Sequence, residues 1–304
     1  MQIQENVPLK AKTTMRIGGT ARFFIDVRNK PELEEAVQFA RAKNLPIVVL
    51  GGGSNTVFAD GVIEAVVLHL NAASTMISGG IVTVQAGKIL ASLVMELSRG
   101  GLDLSALAGI PGTVGGALFG NAGQGPQGTW IDSFVKKVTV FSDGQWRTMP
   151  KEECGFGYRE SSFKSGKWKT SGEPGRTMES GKLLDTIIWE AVLDIPLRDP
   201  VEIQAEVAHV LKRRTETQIA VKTAGSCFKA FDNVPAWQII DGVGLKGFAV
   251  GDVCISDKHA NFLVNKNEGT FIDLVTLIDA VRTTTGKPLE VEMRLIDEEG
   301  QVIG

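Results

Sequence analysis

A chain of 304 residues with 43% hydrophobic and 22% charged side chains has the composition of a globular protein of about two domains. Its formal net charge of -3, with Lys and Arg scattered, offers no basic stripe for nucleic acid, and no run nears the ~18 apolar residues of a membrane span. Cys154, Cys227 and Cys254 fit neither a disulfide framework nor a zinc site, and MQIQENVPLK lacks the apolar core of a signal peptide, so a cytoplasmic protein without a metal is expected.

ARFFIDV (21–27) reads as a strand. Pro31 then opens a helix, with Glu32, Glu34 and Glu35 near its positive end. Leu33, Ala36, Val37 and Ala40 fall at i, i+3, i+4 and i+7 and make one apolar stripe. PIVVL (46–50) is a buried strand that runs straight into GGGSN. VIEAVVLHL and IVTVQAG alternate as strands between 62 and 86, and KILASLVMELSR (88–99) forms a helix closed by Gly100 and Gly101. Short strands such as KKVTVF and GQWRTM continue to about 195, around a polar stretch at 165–181 that carries no clear pattern. LRDPVEIQAEVAHVLKRR reads as a helix with a basic last turn. Another starts at Thr270, with Asp273 completing a capping box, and ends at Gly286. In PLEVEMRLI, Leu289, Val291, Met293 and Leu295 face one way and Glu290, Glu292 and Arg294 the other. The pattern is that of a mixed α+β chain, and neither charge nor composition marks a linker.

Gly 35 is the unusual count, and it points to tight turns and to close backbone approach to a ligand. GGGSN after a strand lacks the third glycine of a dinucleotide-binding fingerprint, since Thr56 stands there, and no Gly-Lys-Ser/Thr follows GIPGTVGG. Each loop alone is equally a plain tight turn. Together, Gly51–Asn55 and Gly109–Gly116 suggest backbone N–H groups gathered around a ligand with a diphosphate and an extended body. On that reading Gly53 and Gly115 are glycine because the diphosphate approaches the backbone.

TTMRIGGTARFF, VVLGGGSNTVF and AGIPGTVGGALFGNAG, in this order and at these distances, resemble the flavin-binding region of the UDP-N-acetylenolpyruvoylglucosamine reductases of bacterial cell-wall synthesis. The resemblance continues through GYRESSFK, AGSCFK, AWQIIDGVGLKGFAVGDVCISDKHANFLVN and LEVEMRLI, and so covers essentially the whole chain. It implies non-covalent FAD, in an α+β fold like that of vanillyl-alcohol oxidase. Two FAD subdomains, 1–75 and 76–197, would be followed by a smaller substrate domain, 198–304, whose C-terminal strand returns a glutamate to the site. It further implies NADPH as reductant, UDP-N-acetylglucosamine enolpyruvate as the small-molecule substrate, and a monomer. Carried over by position, the FAD contacts are Arg16, Gly18, Gly51, Gly52, Gly53, Ser54, Asn55, Gly109, Pro111, Gly112, Thr113, Gly115, Gly116, Asn121 and Ala122. The chain departs from the family at Gln124-Gly125-Pro126, at Ala230-Phe231 and at Met293, and resembles the shorter class without an inserted tyrosine-bearing loop. Another FAD-dependent oxidoreductase of the same cofactor fold, acting on an alcohol or a sugar, is the alternative.

The implied reaction reduces an enolpyruvyl ether to a lactyl ether. Charge develops beside a carboxylate, so the site needs fixed donors and then a proton for the α-carbon. The resemblance assigns the carboxylate to Arg159, whose guanidinium can form two parallel hydrogen bonds. It gives a stabilising role to Glu292, with Glu290 as the alternative, and makes Ser226 the proton donor, with Cys227 as its rival. Tyr158 and Lys229 are candidate substrate contacts, and Lys164 could also meet phosphate. His259, His69 and His209 read as structural.

Overall fold

The computed structural model describes residues 1–123, 128–166, 186–217, 219 and 221–303; the departure at Gln124-Gly125-Pro126 and most of the polar 165–181 stretch lie outside them. In chain order the regular elements are β1 (Ile3–Pro8), β2 (Thr20–Val27), α1 (Lys30–Lys43), β3 (Ile47–Leu50), β4 (Thr56–Phe58), β5 (Val62–Leu70), β6 (Thr75–Ser78), β7 (Ile81–Gln85), α2 (Leu90–Arg99), α3 (Val114–Phe119), β8 (Val135–Ser142) and β9 (Gln145–Pro150). They continue with α4 (Ser162–Ser165), β10 (Ile187–Asp194), α5 (Pro200–Thr217), α6 (Ala236–Gly242), β11 (Ala249–Val250), β12 (Val253–Ile255), β13 (Leu263–Asn265), α7 (Phe271–Thr285), β14 (Arg294–Ile296) and β15 (Val302–Ile303).

The described chain divides into two compact units. One comprises Met1, 26–38 and 69–214; the other comprises 2–25, 39–68 and 215–304. The first unit is built on a five-stranded sheet in the order β6-β7-β10-β8-β9, antiparallel at each of its pairings. Alternation explains its core: Val82 and Val84 of β7, and Val138 and Val140 of β8, are buried. Trp189 of β10 is buried edge-on against Trp146, with ring centroids 5.7 Å apart, and the Lys30 ammonium lies 4.6 Å over the Trp146 ring. Helix α2 buries Leu90, Leu93, Val94 and Leu97, the i, i+3, i+4, i+7 stripe of a one-sided helix. The short α3 packs on β7 and β10.

In the second unit the sheet order β1-β2-β5-β3 is joined by two smaller sheets, β11-β12-β13 and β15-β14-β4. Strand β14 pairs parallel with β4, which brings Arg294, Leu295 and Ile296 opposite Thr56, Val57 and Phe58 and so sets the C-terminal stretch beside the first glycine loop. One core groups Met15, Ile17, Val57, Cys227, Phe228, Ile240, Leu263, Leu277, Val291 and Leu295. Helix α7 carries the expected capping box: the Thr270 hydroxyl accepts from the Asp273 N–H at 3.1 Å, and the Asp273 carboxylate accepts from the Thr270 N–H at 3.0 Å. It ends at Gly286 in the left-handed conformation. Among the described residues no helix is long and apolar enough to cross a membrane.

Candidate active site

Strand β3 delivers the chain into Gly51–Asn55, which leads on into β4 of another sheet, and what happens to the loop's amides is specific. Among the described residues none of the five consecutive N–H groups from Gly51 to Asn55 has an acceptor, while the Gly53 carbonyl accepts from the Thr14 N–H at 3.0 Å. Five donors in one turn fit an anionic group such as a diphosphate. The second loop is more committed to the chain. The N–H groups of Val114 and Gly115 go to the carbonyls of Lys88 and Ala86, each at 2.8 Å, and that of Gly116 to the Thr113 hydroxyl at 3.3 Å. Gly109, Gly112 and Thr113 keep N–H groups without an acceptor among the described residues.

Gly53 and Gly115 have a reason to be glycine besides the approach of a diphosphate. Gly53 has φ +64, and a Cβ there would be driven into the Lys12 carbonyl oxygen. A Cβ on Gly115 would lie 2.8 Å from the Ala86 methyl. The protein's own packing therefore requires both glycines, whatever approaches from outside. Gly116 differs: it is exposed, and a Cβ would meet only the Thr113 hydroxyl at 3.6 Å. Gly18 has φ +144 and would bring a Cβ 3.3 Å from that of Phe58. Arg16 sits at φ +59 and is exposed; its guanidinium donates to the Ala11 carbonyl at 3.0 Å, and the buried Asn265 amide donates to the carbonyls of Met15 (3.1 Å) and Arg16 (3.3 Å).

In the first unit, Tyr158 and Arg159 form the tip of a tight turn closed by Gly157 and Glu160, whose N–H and carbonyl groups pair at 3.0 and 3.2 Å. Arg159 holds φ +55, a conformation that glycine adopts freely and that is uncommon for a long side chain. The turn is over-determined. Asn121 donates to the Gly157 carbonyl at 2.9 Å, Lys164 donates to the Arg159 carbonyl at 3.0 Å, and the Ser161 hydroxyl donates to the Phe119 carbonyl at 2.7 Å while capping α4. The Tyr158 ring is half-exposed and lies 5.8 Å from that of Trp130. Lys164 and Asn121 are thus engaged in shaping the turn. The periodicity of α5 gave no sign of Arg214: its side chain packs over Gly109, where a Cβ would lie 2.6 Å from Arg214 Cδ. Burial lowers its pKa, and the nearby Arg159 charge lowers it further, so two guanidinium groups share this region.

In the second unit, 226–229 lies between two other stretches of chain. Ser226 pairs with Phe262 on one side, and Phe228 pairs with Val291 on the other. The Glu292 N–H donates to the Cys227 carbonyl at 2.7 Å, which places Ser226 and Glu292 on adjacent segments. Asn55 of the glycine loop donates from Nδ2 to the Glu292 carbonyl at 3.1 Å and accepts the Arg294 N–H at 2.9 Å, so the loop and the Glu292 segment are stitched together. Arg294 donates to the Val49 carbonyl at 3.0 Å, and burial pushes its pKa down to about 10.

The geometry separates the rival assignments. Ser226 is half-buried, whereas Cys227 is fully buried and its thiol is pushed well above the usual range, chiefly by burial, with Arg282 opposing and Glu292 adding to the effect. Glu292 is partly buried, whereas Glu290 is exposed and ion-paired with Lys229 at 2.6 Å. His259 packs 4.8 Å from the Phe262 ring, and burial lowers its pKa. His69 meets Asp26 at 2.7 Å. No group of His, Cys, Asp and Glu among the described residues could hold a metal ion.

Residues 21–149 match the FAD-binding domain family, in agreement with the amide-lined loops, and the chain is by class a flavin-dependent oxidoreductase. Residues 216–296 match the C-terminal domain of UDP-N-acetylenolpyruvoylglucosamine reductase. The UDP-N-acetylenolpyruvoylglucosamine reductase of Moorella thermoacetica is 33% identical over 299 residues, which are 97% of this chain and 92% of that protein. That of Geobacter metallireducens is 32% identical over 308 residues, 98% of this chain and 95% of its own. The crystal structure of UDP-N-acetylenolpyruvylglucosamine reductase (MurB) from Thermus caldophilus superposes with a TM-score of 0.81 at 33% identity, covering 97% of this chain and 99% of that one. The chain belongs to the UDP-N-acetylenolpyruvoylglucosamine reductase family.

Proposed function

We propose that the protein reduces UDP-N-acetylglucosamine enolpyruvate to UDP-N-acetylmuramate, with FAD bound at the Gly51–Asn55 and Gly109–Gly116 loops and NADPH as reductant. When bound, FAD supplies hydride chemistry to the terminal carbon of the enolpyruvyl group. The protein supplies the rest. Arg159, preset at its turn, grips the substrate carboxylate through two parallel hydrogen bonds. Glu292, protonated, donates to the charge that develops there. Ser226 delivers its hydroxyl proton to the α-carbon. Tyr158 lines the substrate beside Arg159. Residues 198–304 serve as the substrate-binding segment, and the protein works as a cytoplasmic monomer.

The observation that carries this reading is the 2.7 Å hydrogen bond from the Glu292 N–H to the Cys227 carbonyl, which lays the segment carrying half-buried Ser226 alongside the one carrying partly buried Glu292 in a chain of this family. The test is NADPH oxidation by the purified yellow protein with and without UDP-N-acetylglucosamine enolpyruvate. Substrate-dependent turnover with release of free FAD on denaturation is expected. Covalently held flavin, or turnover only with an alcohol or a sugar, would replace this reading by that of a flavin oxidase.

A further inference from the structure

Ser226 follows Gly225, whose φ of +84 is a conformation open chiefly to glycine and around which a Cβ would find nothing within 4 Å. Before the serine, the Gly225 N–H donates to the Thr223 hydroxyl at 3.3 Å and that hydroxyl donates to the Leu263 carbonyl at 2.7 Å; after it, the chain is held from the other side. There one buried side chain, Asn261, makes the decisive contacts. The Phe228 N–H donates to Asn261 Oδ1 at 3.0 Å, and Asn261 Nδ2 donates to the Phe228 carbonyl at 2.9 Å. The backbone carbonyl of Asn261 accepts the Cys227 N–H at 2.8 Å. A carboxamide offers a donor and an acceptor in one plane, as a peptide group does, so this side chain stands in for a neighbouring strand. Asn261 is 6% exposed and Phe228 2% exposed, so loss of the amide would leave two buried backbone groups unsatisfied.

We propose that Asn261 is a positioning residue for proton delivery: its carboxamide locks 226–228 in register beside Glu292 and so fixes the Ser226 hydroxyl. The proposal rests on Ser226 being the donor. Misplacement of a reacting group by about 1 Å costs on the order of 10²-fold. Asn261→Ala should therefore slow flavin reoxidation by UDP-N-acetylglucosamine enolpyruvate by about 10- to 100-fold, while FAD content and flavin reduction by NADPH stay within about two-fold of wild type. Asn261→Asp supplies a readout that a merely structural role would not move. A buried aspartate facing a carbonyl oxygen has a raised pKa, and only its protonated form offers both donor and acceptor. Its reoxidation rate should rise as pH falls, through a titration absent from the wild type, and it decides the matter even where Asn261→Ala fails to fold.

The two assumptions fail in different ways. In a Ser226→Ala background Asn261→Ala should cost less than about two-fold, because both act through one hydroxyl. If Ser226→Ala itself leaves reoxidation unchanged, the donor assignment falls and the Asn261 proposal with it. If Ser226→Ala is slow but the Asn261→Ala loss adds to it in full, only the Asn261 proposal is overturned. A pH-independent Asn261→Asp enzyme, or equal losses in both half-reactions, would also overturn it.

Discussion

At the scale of the single residue, the site is recognisable by what it stores. Arg159 holds φ +55 at a position where glycine would be relaxed, and the surrounding hydrogen bonds from Asn121 and Lys164 keep it there. Arg159→Gly should therefore stabilise the flavin-free protein against urea by roughly 1 kcal/mol while abolishing reoxidation by substrate. Arg159→Lys keeps the charge without the fork and should slow that half-reaction by about one to three decades, with flavin reduction by NADPH preserved. Equal loss of both half-reactions would mean that Arg159 serves the fold or the flavin instead. Ser226→Ala, which removes one half-buried hydroxyl, should lower turnover by about 10²–10⁴-fold with normal FAD content, and near-normal turnover would move the donor role elsewhere. The roles proposed for Arg159, Ser226 and Glu292 rest on motif resemblance, since an arginine in a turn and a serine after glycine carry no chemistry of their own. Asn261 and Arg214 were not legible at all. What distinguishes them is whom they meet, and Phe228 and Gly109 are far away in sequence.

Elements were the most readable level, because alternation and capping are local. The strands at 20–27, 47–50, 62–70 and 81–85, and the capped helix Phe271–Thr285, follow their patterns closely. Thr270→Ala should cost about 1 kcal/mol in urea unfolding through loss of the cap. Strand β1 escaped notice because none of its residues is buried and it pairs only with β2 at the sheet edge. The last stretch alternates as expected, with Leu289, Val291, Met293 and Leu295 buried. Only Arg294–Ile296 forms a continuous ladder, because Val291 makes an isolated pairing with Phe228. The glycine loops show that a glycine can have a reason within the chain itself, apart from any ligand. Gly53 and Gly115 are already hemmed in by the chain itself, so valine there would disrupt the loop and reveal nothing about FAD. Gly116→Leu is the informative change, since a helical, exposed position accepts it. FAD affinity should fall at least about ten-fold while the flavin-free proteins melt within about 2 °C of each other. Unchanged affinity would remove Gly116 from the cofactor site.

For the whole molecule, the sequence offered no linker, and the structure gives the reason: both compact units are assembled from interleaved stretches, and their limits fall at 25–26, 38–39, 68–69 and 214–215, inside β2, α1, β5 and α5. No composition shift marks a border that runs through the middle of a strand or helix. The three thiols are all buried, and burial pushes Cys154 up to about 12 and Cys227 well up. None should react with a disulfide reagent at pH 8 until the protein unfolds, and rapid labelling of native protein would show that these cores open. The central claim is that this chain is a flavin reductase of an enolpyruvyl ether. It is tested most directly by reducing the bound FAD with one equivalent of NADPH without oxygen, then mixing with UDP-N-acetylglucosamine enolpyruvate in a stopped-flow spectrometer and identifying the product. Return of the oxidised flavin absorbance with one equivalent of the lactyl ether is the predicted result. Flavin that stays reduced in the presence of that substrate would contradict it.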